Sequence, residues 1–153
     1  MAKPETEAPD RVRVSRTIQA SRQRVYRAWT EPELLMKWFI ESDGDMHVRE
    51  LDLRAGGRYR FEGLERGKPW ALEGVYLEVR PGERLVYTWK WENDLALGGP
   101  GDTVVTVEFH DRGKQTEVIV TQEGFTNALA RDEHGRGWVG CLDRLGSLVI
   151  EGR

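Results

Sequence analysis

Polar and apolar residues alternate from Arg11 to Ala20, with Val12, Val14, Ile18 and Ala20 on one side and Arg11, Arg13, Ser15, Thr17 and Gln19 on the other. That two-residue period predicts a half-buried strand, with Arg16 as a charge interrupting its apolar side. The period then changes. Ser21 stands where a helix cap belongs, and Val25, Ala28 and Trp29 recur at helical spacing, which predicts a short amphipathic helix. A second helix should follow directly. Thr30 and Glu33 have capping-box spacing, Pro32 suits a first turn, and Leu34, Leu35, Trp38 and Phe39 supply the apolar stripe.

After a loop at Asp43-Gly44 the alternation returns in short segments as far as about Phe125: Tyr59 with Phe61; Leu85, Tyr87, Trp89 and Trp91; Val105, Val107 and Phe109; Val118 with Val120. Turn signals separate them at Ala55-Gly56-Gly57, Gly63 to Lys68, Pro81-Gly82 and Asp111 to Lys114. No stretch of crossover length lies between these strands, so they should pair antiparallel as a meander. The longest connection, Asn93 to Asp102, contains Gly98-Gly99-Pro100-Gly101 and is the candidate mobile rim. It lacks the Lys-Ser/Thr ending and following helix of a phosphate-binding loop.

The C-terminal stretch has helical periodicity in Trp138, Leu142, Leu145 and Val149, widened by Cys141 and Leu148. Gly135, Gly137 and Gly140 weaken its first part, since an interior glycine costs about 1 kcal/mol relative to alanine. Regular helix is therefore expected only from near Arg136, with Thr126 capping a preceding turn. Residues 1–10, rich in Pro, Glu and Ala, read as a flexible tail, leaving 11–153 as the folded domain. The expected architecture is α+β, a curved antiparallel sheet wrapped around a long C-terminal helix. Bent strands and aromatic side chains would leave an internal, mostly apolar pocket between the two.

Composition narrows the functional classes. With 39% hydrophobic and 32% charged residues the chain has the make-up of a globular protein. A net charge of -3 gives no general attraction to phosphate backbones, so nucleic acid is not an expected partner. The N-terminus MAKPETEAPD has no apolar core of a secretory signal, and no run approaches the roughly 18 apolar residues of a spanning helix. No membrane partner is expected. A single cysteine, Cys141, permits no internal disulfide and suits a reducing, cytoplasmic setting.

Several separated motifs carry a resemblance. Ala20-Ser21 and Val25, Trp29-Thr30-Glu31-Pro32 and Leu35, and Lys37-Trp38-Phe39 come first. Asp52-Leu53-Arg54-Ala55-Gly56-Gly57-Arg58-Tyr59 follows, then Gly74-Val75-Tyr76-Leu77-Glu78-Val79 with Arg80-Pro81-Gly82-Glu83-Arg84-Leu85, and finally Gly137-Trp138 with Leu142-Asp143-Arg144-Leu145. In this order, from about Val12 to the C-terminus, they resemble the START-like (SRPBCC, helix-grip) superfamily, and within it the bacterial homologues of the activator of heat-shock protein 90 ATPase. The resemblance implies a helix-grip fold. For function it implies binding of lipids, hormones or polyketides, polyketide cyclase-like catalysis in the same cavity, or activation of a chaperone ATPase; together with the aromatic-lined faces, the first expectation is a small hydrophobic, aromatic molecule bound without catalysis. Fold membership does not choose among these.

Six tryptophans in so short a chain offer flat surfaces for a planar ligand. Trp38, Tyr59, Trp70, Tyr87, Trp89 and Trp138 are the candidate lining, with Trp89 from the sheet and Trp138 from the helix preferred. Arg54, beside Gly56-Gly57, could hold a carboxylate or phenolate at the mouth. Alternatively it belongs to a solvent-side ion-pair ladder with Glu50 and Asp52. Cys141 shares a helix face with His134 and Trp138. One Cys and one His leave a metal short of ligands and a nucleophile without an orienting group, so Cys141 is read as a small apolar residue of the lining. His47 and His110 are expected at the surface. No catalytic group, metal site or cofactor motif is singled out, and either a monomer or a homodimer is compatible with the sequence.

Overall fold

The computed structural model describes residues 3–8, 10–40, 45–92 and 103–151. The element order is β1 (Lys3–Ala8), β2 (Arg11–Ile18), α1 (Arg22–Thr30), α2 (Pro32–Trp38), β3 (Asp45–Leu51), β4 (Arg58–Glu65), β5 (Lys68–Arg80), β6 (Arg84–Trp91), β7 (Thr103–Arg112), β8 (Gln115–Glu123) and α3 (Ala128–Glu151). All strand pairs are antiparallel, in the order β1-β2-β8-β7-β6-β5-β4-β3. β3 to β8 form the expected meander. The chain's first long strand, β2, closes against the last, β8, with Val14 opposite Val120 and Ile18 opposite Thr116.

One difference lies at the N-terminus. Where the sequence suggests a tail, Lys3–Ala8 forms a strand with Pro4 opposite Val14. Pairing with an exposed edge needs no apolar pattern, because backbone N–H and C=O groups supply the contact, so composition alone does not reveal it. The segments around Asp43-Gly44 and from Asn93 to Asp102, with its Gly98-Gly99-Pro100-Gly101, lie outside the described residues.

Turn chemistry is as the sequence indicates. The β4–β5 hairpin turns on Arg66 and Gly67, both at positive φ (53° and 80°). This left-handed pair matches the twist of two-residue hairpins. Gly74 serves a different purpose. A Cβ there would lie 2.6 Å from the Tyr59 ring and 2.1 Å from the Thr88 carbonyl oxygen. The missing side chain is what lets Tyr59 lie across the sheet surface.

The helices start differently from expectation at two places. Ser21 caps α1 by accepting from Arg24 N at 3.3 Å. No Thr30–Glu33 box forms at α2, because Thr30 is still the last residue of α1 and its hydroxyl donates to the Tyr26 carbonyl at 2.9 Å. Glu31 is the N-cap instead, without a side-chain bond. In the long helix, regular structure begins at Ala128, not near Arg136, and Asn127, not Thr126, accepts from Ala130 N at 2.8 Å. Burial of Ala130, His134 and Trp138 along one stripe outweighs the glycine penalty over that stretch.

The curved sheet grips α3 along much of the helix. Arg16 of β2, the charge on an otherwise apolar face, donates to the Leu142 carbonyl and to Asp143 Oδ1, both at 2.9 Å. It lies over Gly146, where a Cβ would come within 2.7 Å of the guanidinium carbon. On the opposite side Arg144 donates to the carbonyls of Trp38 (2.9 Å) and Phe39 (3.2 Å) at the end of α2. Two arginines thus fix α3 at its middle, one to β2 and one to the end of α2.

Candidate functional site

Between α3 and the inner face of the sheet the side chains are predominantly aromatic. β6 projects Leu85, Tyr87 and Trp89 inward, as its alternation predicts, and Trp91 continues the row toward the edge of the interior. Trp138 enters from α3 and meets Trp89 with ring centroids 5.3 Å apart. Phe39, just past α2, packs on both, at 6.0 Å from Trp89 and 6.2 Å from Trp138. Trp29 of α1 stacks on Trp138 at 6.1 Å and 17°.

The polar groups inside this cluster are almost all paired. Gln122, fully buried on β8, accepts from the Trp138 indole N–H at 2.8 Å and donates to Thr103 Oγ1 at 2.8 Å. His134 donates from Nδ1 to the Ala130 carbonyl (2.8 Å) and accepts at Nε2 from the Trp91 indole (3.0 Å). A carbonyl can only accept and an indole N–H can only donate, so the imidazole is neutral with its proton on Nδ1. Burial lowers its pKa, against the Ala130 bond, which raises it. The Trp38 indole donates to the Ala28 carbonyl at 2.8 Å. The buried indole N–H of Trp89 is the exception, with no acceptor among the described residues. The Tyr26 hydroxyl, farther along the interior beside Phe109, is likewise buried without a partner.

The interior also suppresses charge. Burial pushes the Cys141 thiol up to about 11, only partly offset by nearby Arg144. Its S–H donates to the Phe39 carbonyl at 3.1 Å. Tyr59, Tyr76 and Tyr87 form a triad with centroids 5.5 to 5.7 Å apart. Burial raises the pKa of all three phenols, with the Trp29 indole beside Tyr87 acting the other way there. Such groups are neutral donors and acceptors at ordinary pH. Among the described residues no group of three or more His, Cys, Asp or Glu is placed to hold a metal ion.

The structure therefore sorts the residues proposed from sequence. Trp89, Trp138, Tyr59 and Tyr87 come together in the interior, and Cys141 sits beside Phe39 at the helix side. Trp38 is buried next to them but is held by its bond to α1, tying the two short helices together. Trp70 packs against Trp91 at 6.0 Å on the periphery. Arg54 is separate, with its side chain 70% exposed and its Nε on Asp52 at 2.9 Å. Both residues lie beyond the end of β3, so the pair is a local one in the bend and not a rung on a strand face, and a guanidinium so exposed retains its hydration. His47 is exposed and His110 half-buried, paired with Asp45 and Glu108 respectively.

Sequence reading did not select Trp29, Phe39, Phe61, Gln122 or His134 as lining. The signal for Gln122 was present: a polar residue in step with Val118 and Val120 on an apolar strand face. His134 stands one helical turn before Trp138, a spacing weighed only for metal or nucleophilic chemistry.

An antiparallel sheet gripping a long terminal helix, with two short helices after the first long strand, defines the helix-grip class of START-like domains. Residues 19–149 match the family described as Activator of Hsp90 ATPase homolog 1-like protein, and the chain belongs to that family. It is similar to a protein of Chromobacterium violaceum whose crystal structure is 35% identical, covers 93% of this chain and 98% of that one, and superposes with a TM-score of 0.83. A Nitrosomonas europaea protein is 24% identical, with 97% and 99% covered and a TM-score of 0.78. A Rhodobacter sphaeroides protein, 19% identical over the whole of both chains, reaches 0.82. These last two show the fold alone. No curated protein matches. No described helix is long and apolar enough to cross a membrane.

Proposed function

We propose that this protein binds a small, planar, apolar molecule between α3 and the sheet, in a cytoplasmic setting and without catalysing its conversion. The observation that carries this is the convergence of Trp89, Trp138 and Phe39 from three different elements on one buried region. Flat aromatic faces with a few fixed polar groups are the usual lining of small-molecule sites. A cyclase would need a group that exchanges protons near neutral pH. Both nitrogens of His134 are engaged and burial pushes the phenols and the thiol up, which favours binding over proton transfer.

The test is native mass spectrometry and thermal shift on the full chain with a panel of lipophilic aromatic metabolites. A ligand present at about 100 times its dissociation constant should stabilise the fold by about 2.7 kcal/mol. If no member of the panel binds or stabilises, and hydrogenated, bulky lipids behave the same way, the binding reading fails.

The family description supports a second reading, an adaptor acting on a chaperone ATPase. Its candidate surface is the outer sheet face around Arg60, which bonds Glu62, Glu73 and Glu92 at 2.6 to 2.9 Å. Pull-down and ATPase assays with the cognate chaperone test it, and an unchanged rate at saturating protein removes it.

A further inference from the structure

All six tryptophans of the chain belong to one line of ring contacts. From the half-buried pair Trp70 and Trp91 at the edge of the interior it runs through Trp89 and Trp138 to Trp29 and Trp38. Successive centroids lie 6.0, 5.7, 5.3, 6.1 and 4.7 Å apart. Five elements contribute, β5, β6, α3, α1 and α2, so no local pattern makes the line. Burial alone asks only for apolar volume at these positions, which Leu or Phe also supplies. Indole at every step adds what sets tryptophan apart, its readiness to give up one electron. Rings in contact exchange an electron readily, so a hole created on any one indole can reach the others.

Where the hole comes to rest is decided by the N–H proton. An oxidised indole is a radical cation and an acid, and an unpaired charge in an apolar interior is costly. It is trapped where a base takes that proton. Trp38 and Trp138 donate to amide oxygens, the Ala28 carbonyl and Gln122 Oε1, at 2.8 Å, and Trp29 bonds the Tyr87 hydroxyl. None of these oxygens holds a further proton at ordinary pH. Trp89 Nε1 meets no acceptor among the described residues, and Trp70, half-buried at the end of the line, faces at best water, a far weaker base than imidazole. Trp91 differs. Its N–H points at His134 Nε2 at 3.0 Å, and with the imidazole proton held on Nδ1 by the Ala130 carbonyl at 2.8 Å, Nε2 is a free base. The other rings against His134, Trp89 and Phe125, carry no charge that competes for this proton. Burial lowers the basicity of His134, and the Ala130 bond offsets part of that by stabilising the imidazolium.

We propose that the six tryptophans conduct an oxidising equivalent and that the Trp91–His134 pair is its resting site, through which the protein quenches strong one-electron oxidants of the carbonate-radical class. The oxidant takes one electron and leaves as its anion. The Trp91 ring loses that electron while its N–H proton moves to His134 Nε2. The products are a neutral indolyl radical and an imidazolium whose Nδ1–H still meets the Ala130 carbonyl. A one-electron reductant of the ascorbate class reverses the step, returning an electron to the ring while Nε2 gives back the proton. No bound ligand is required.

Ultraviolet photoionisation of the full chain creates holes on all six indoles, with hexaamminecobalt(III) present to take up the ejected electrons irreversibly. Transient absorption distinguishes the radical cation from the neutral radical, and a nitroso spin trap followed by peptide mapping locates the radical. In the parent the neutral radical should form, with the adduct mainly on Trp91, which is half-buried and so within reach of the trap. His134→Gln keeps an acceptor for the Trp91 N–H but removes the base, so the cation should live longer and the Trp91 adduct should fall severalfold. Trp138→Phe separates Trp29 and Trp38, two of the five indoles that remain, from the other three. Their share of the signal should then reach Trp91 only in a slow phase. Carbonate radicals made by pulse radiolysis should yield the same Trp91 radical, and ascorbate should erase it. The proposal is overturned if the parent shows no neutral radical, if the adduct lies mainly on Trp70, Cys141 or a tyrosine, if His134→Gln leaves the cation lifetime unchanged, or if Trp138→Phe shows no slow phase. Mapping of the parent needs no variant to fold.

Discussion

The Trp138 indole on α3 donates to Oε1 of Gln122 on β8 at 2.8 Å, with both side chains buried. This bond joins the gripped helix to the centre of the sheet. The amide nitrogen of Gln122 passes the connection on to Thr103 of β7. Gln122→Leu should therefore strand two buried polar groups at once, for a loss of about 2–4 kcal/mol, whereas Gln122→Glu keeps the acceptor oxygen but inserts a charge. Urea unfolding should show both variants destabilised, with the Glu variant improving as pH is lowered. A Leu variant as stable as the parent would mean that the bond contributes nothing net.

Two glycines of α3 should respond oppositely to alanine. Gly137 has open space where a Cβ would go, so Gly137→Ala should gain about 1 kcal/mol from helix propensity. At Gly146 the methyl would displace the Arg16 guanidinium from Leu142 and Asp143. Gly146→Ala should destabilise the parent protein yet stabilise an Arg16→Met background, a coupling that a double-mutant cycle measures. Simple additivity of the two changes would contradict the packing.

Acid should weaken the fold partly through His134. Burial lowers its folded pKa from the ordinary 6.5, so below that pH the unfolded chain binds this proton more readily than the folded one. The stabilisation is complete above 6.5 and is lost as pH falls through the folded value. His134→Gln keeps an acceptor for Trp91 but does not titrate. Denaturant midpoints measured from about pH 7.5 to about pH 5 should fall more steeply for the parent than for the variant. Glu62 and Glu92, held below the ordinary 4.5 by bonds to Arg60, act only at lower pH.

Cys141 should be inert while the protein is folded. Its thiol is buried, bonded to the Phe39 carbonyl and pushed up to about 11, and the reactive species is the thiolate. A thiol reagent at pH 8 should modify it only at the rate of unfolding, and rapidly in denaturant. Stoichiometric labelling of native protein within seconds would show that the α2–α3 contact opens readily.

Arg54→Ala should change stability by less than about 1 kcal/mol, as expected for an exposed ion pair, and leave binding of the aromatic panel unaltered. A loss of binding would return Arg54 to the site despite its exposure.

How far the chain could be read without coordinates depended on the kind of interaction. The strand meander, the junction of two short helices and the gripped terminal helix follow from local periodicity and turn residues such as Pro81-Gly82. The inward direction of Trp89 and Trp138 follows in the same way. These are short-range consequences of which face of each element must leave water. The pairing of Lys3–Ala8 with β2, the start of α3 at Ala128 and the absence of a box at Thr30 depend on edges and burial created by distant segments. So do the partner of Arg16 on α3, the neutral tautomer of His134 and the N–H of Trp89, unpaired among the described residues. A hydrogen-bond partner is a matter of a few tenths of an ångström between residues far apart in sequence. Periodicity determines which side chains go inside, and only the curved sheet and its helix decide which of them meet.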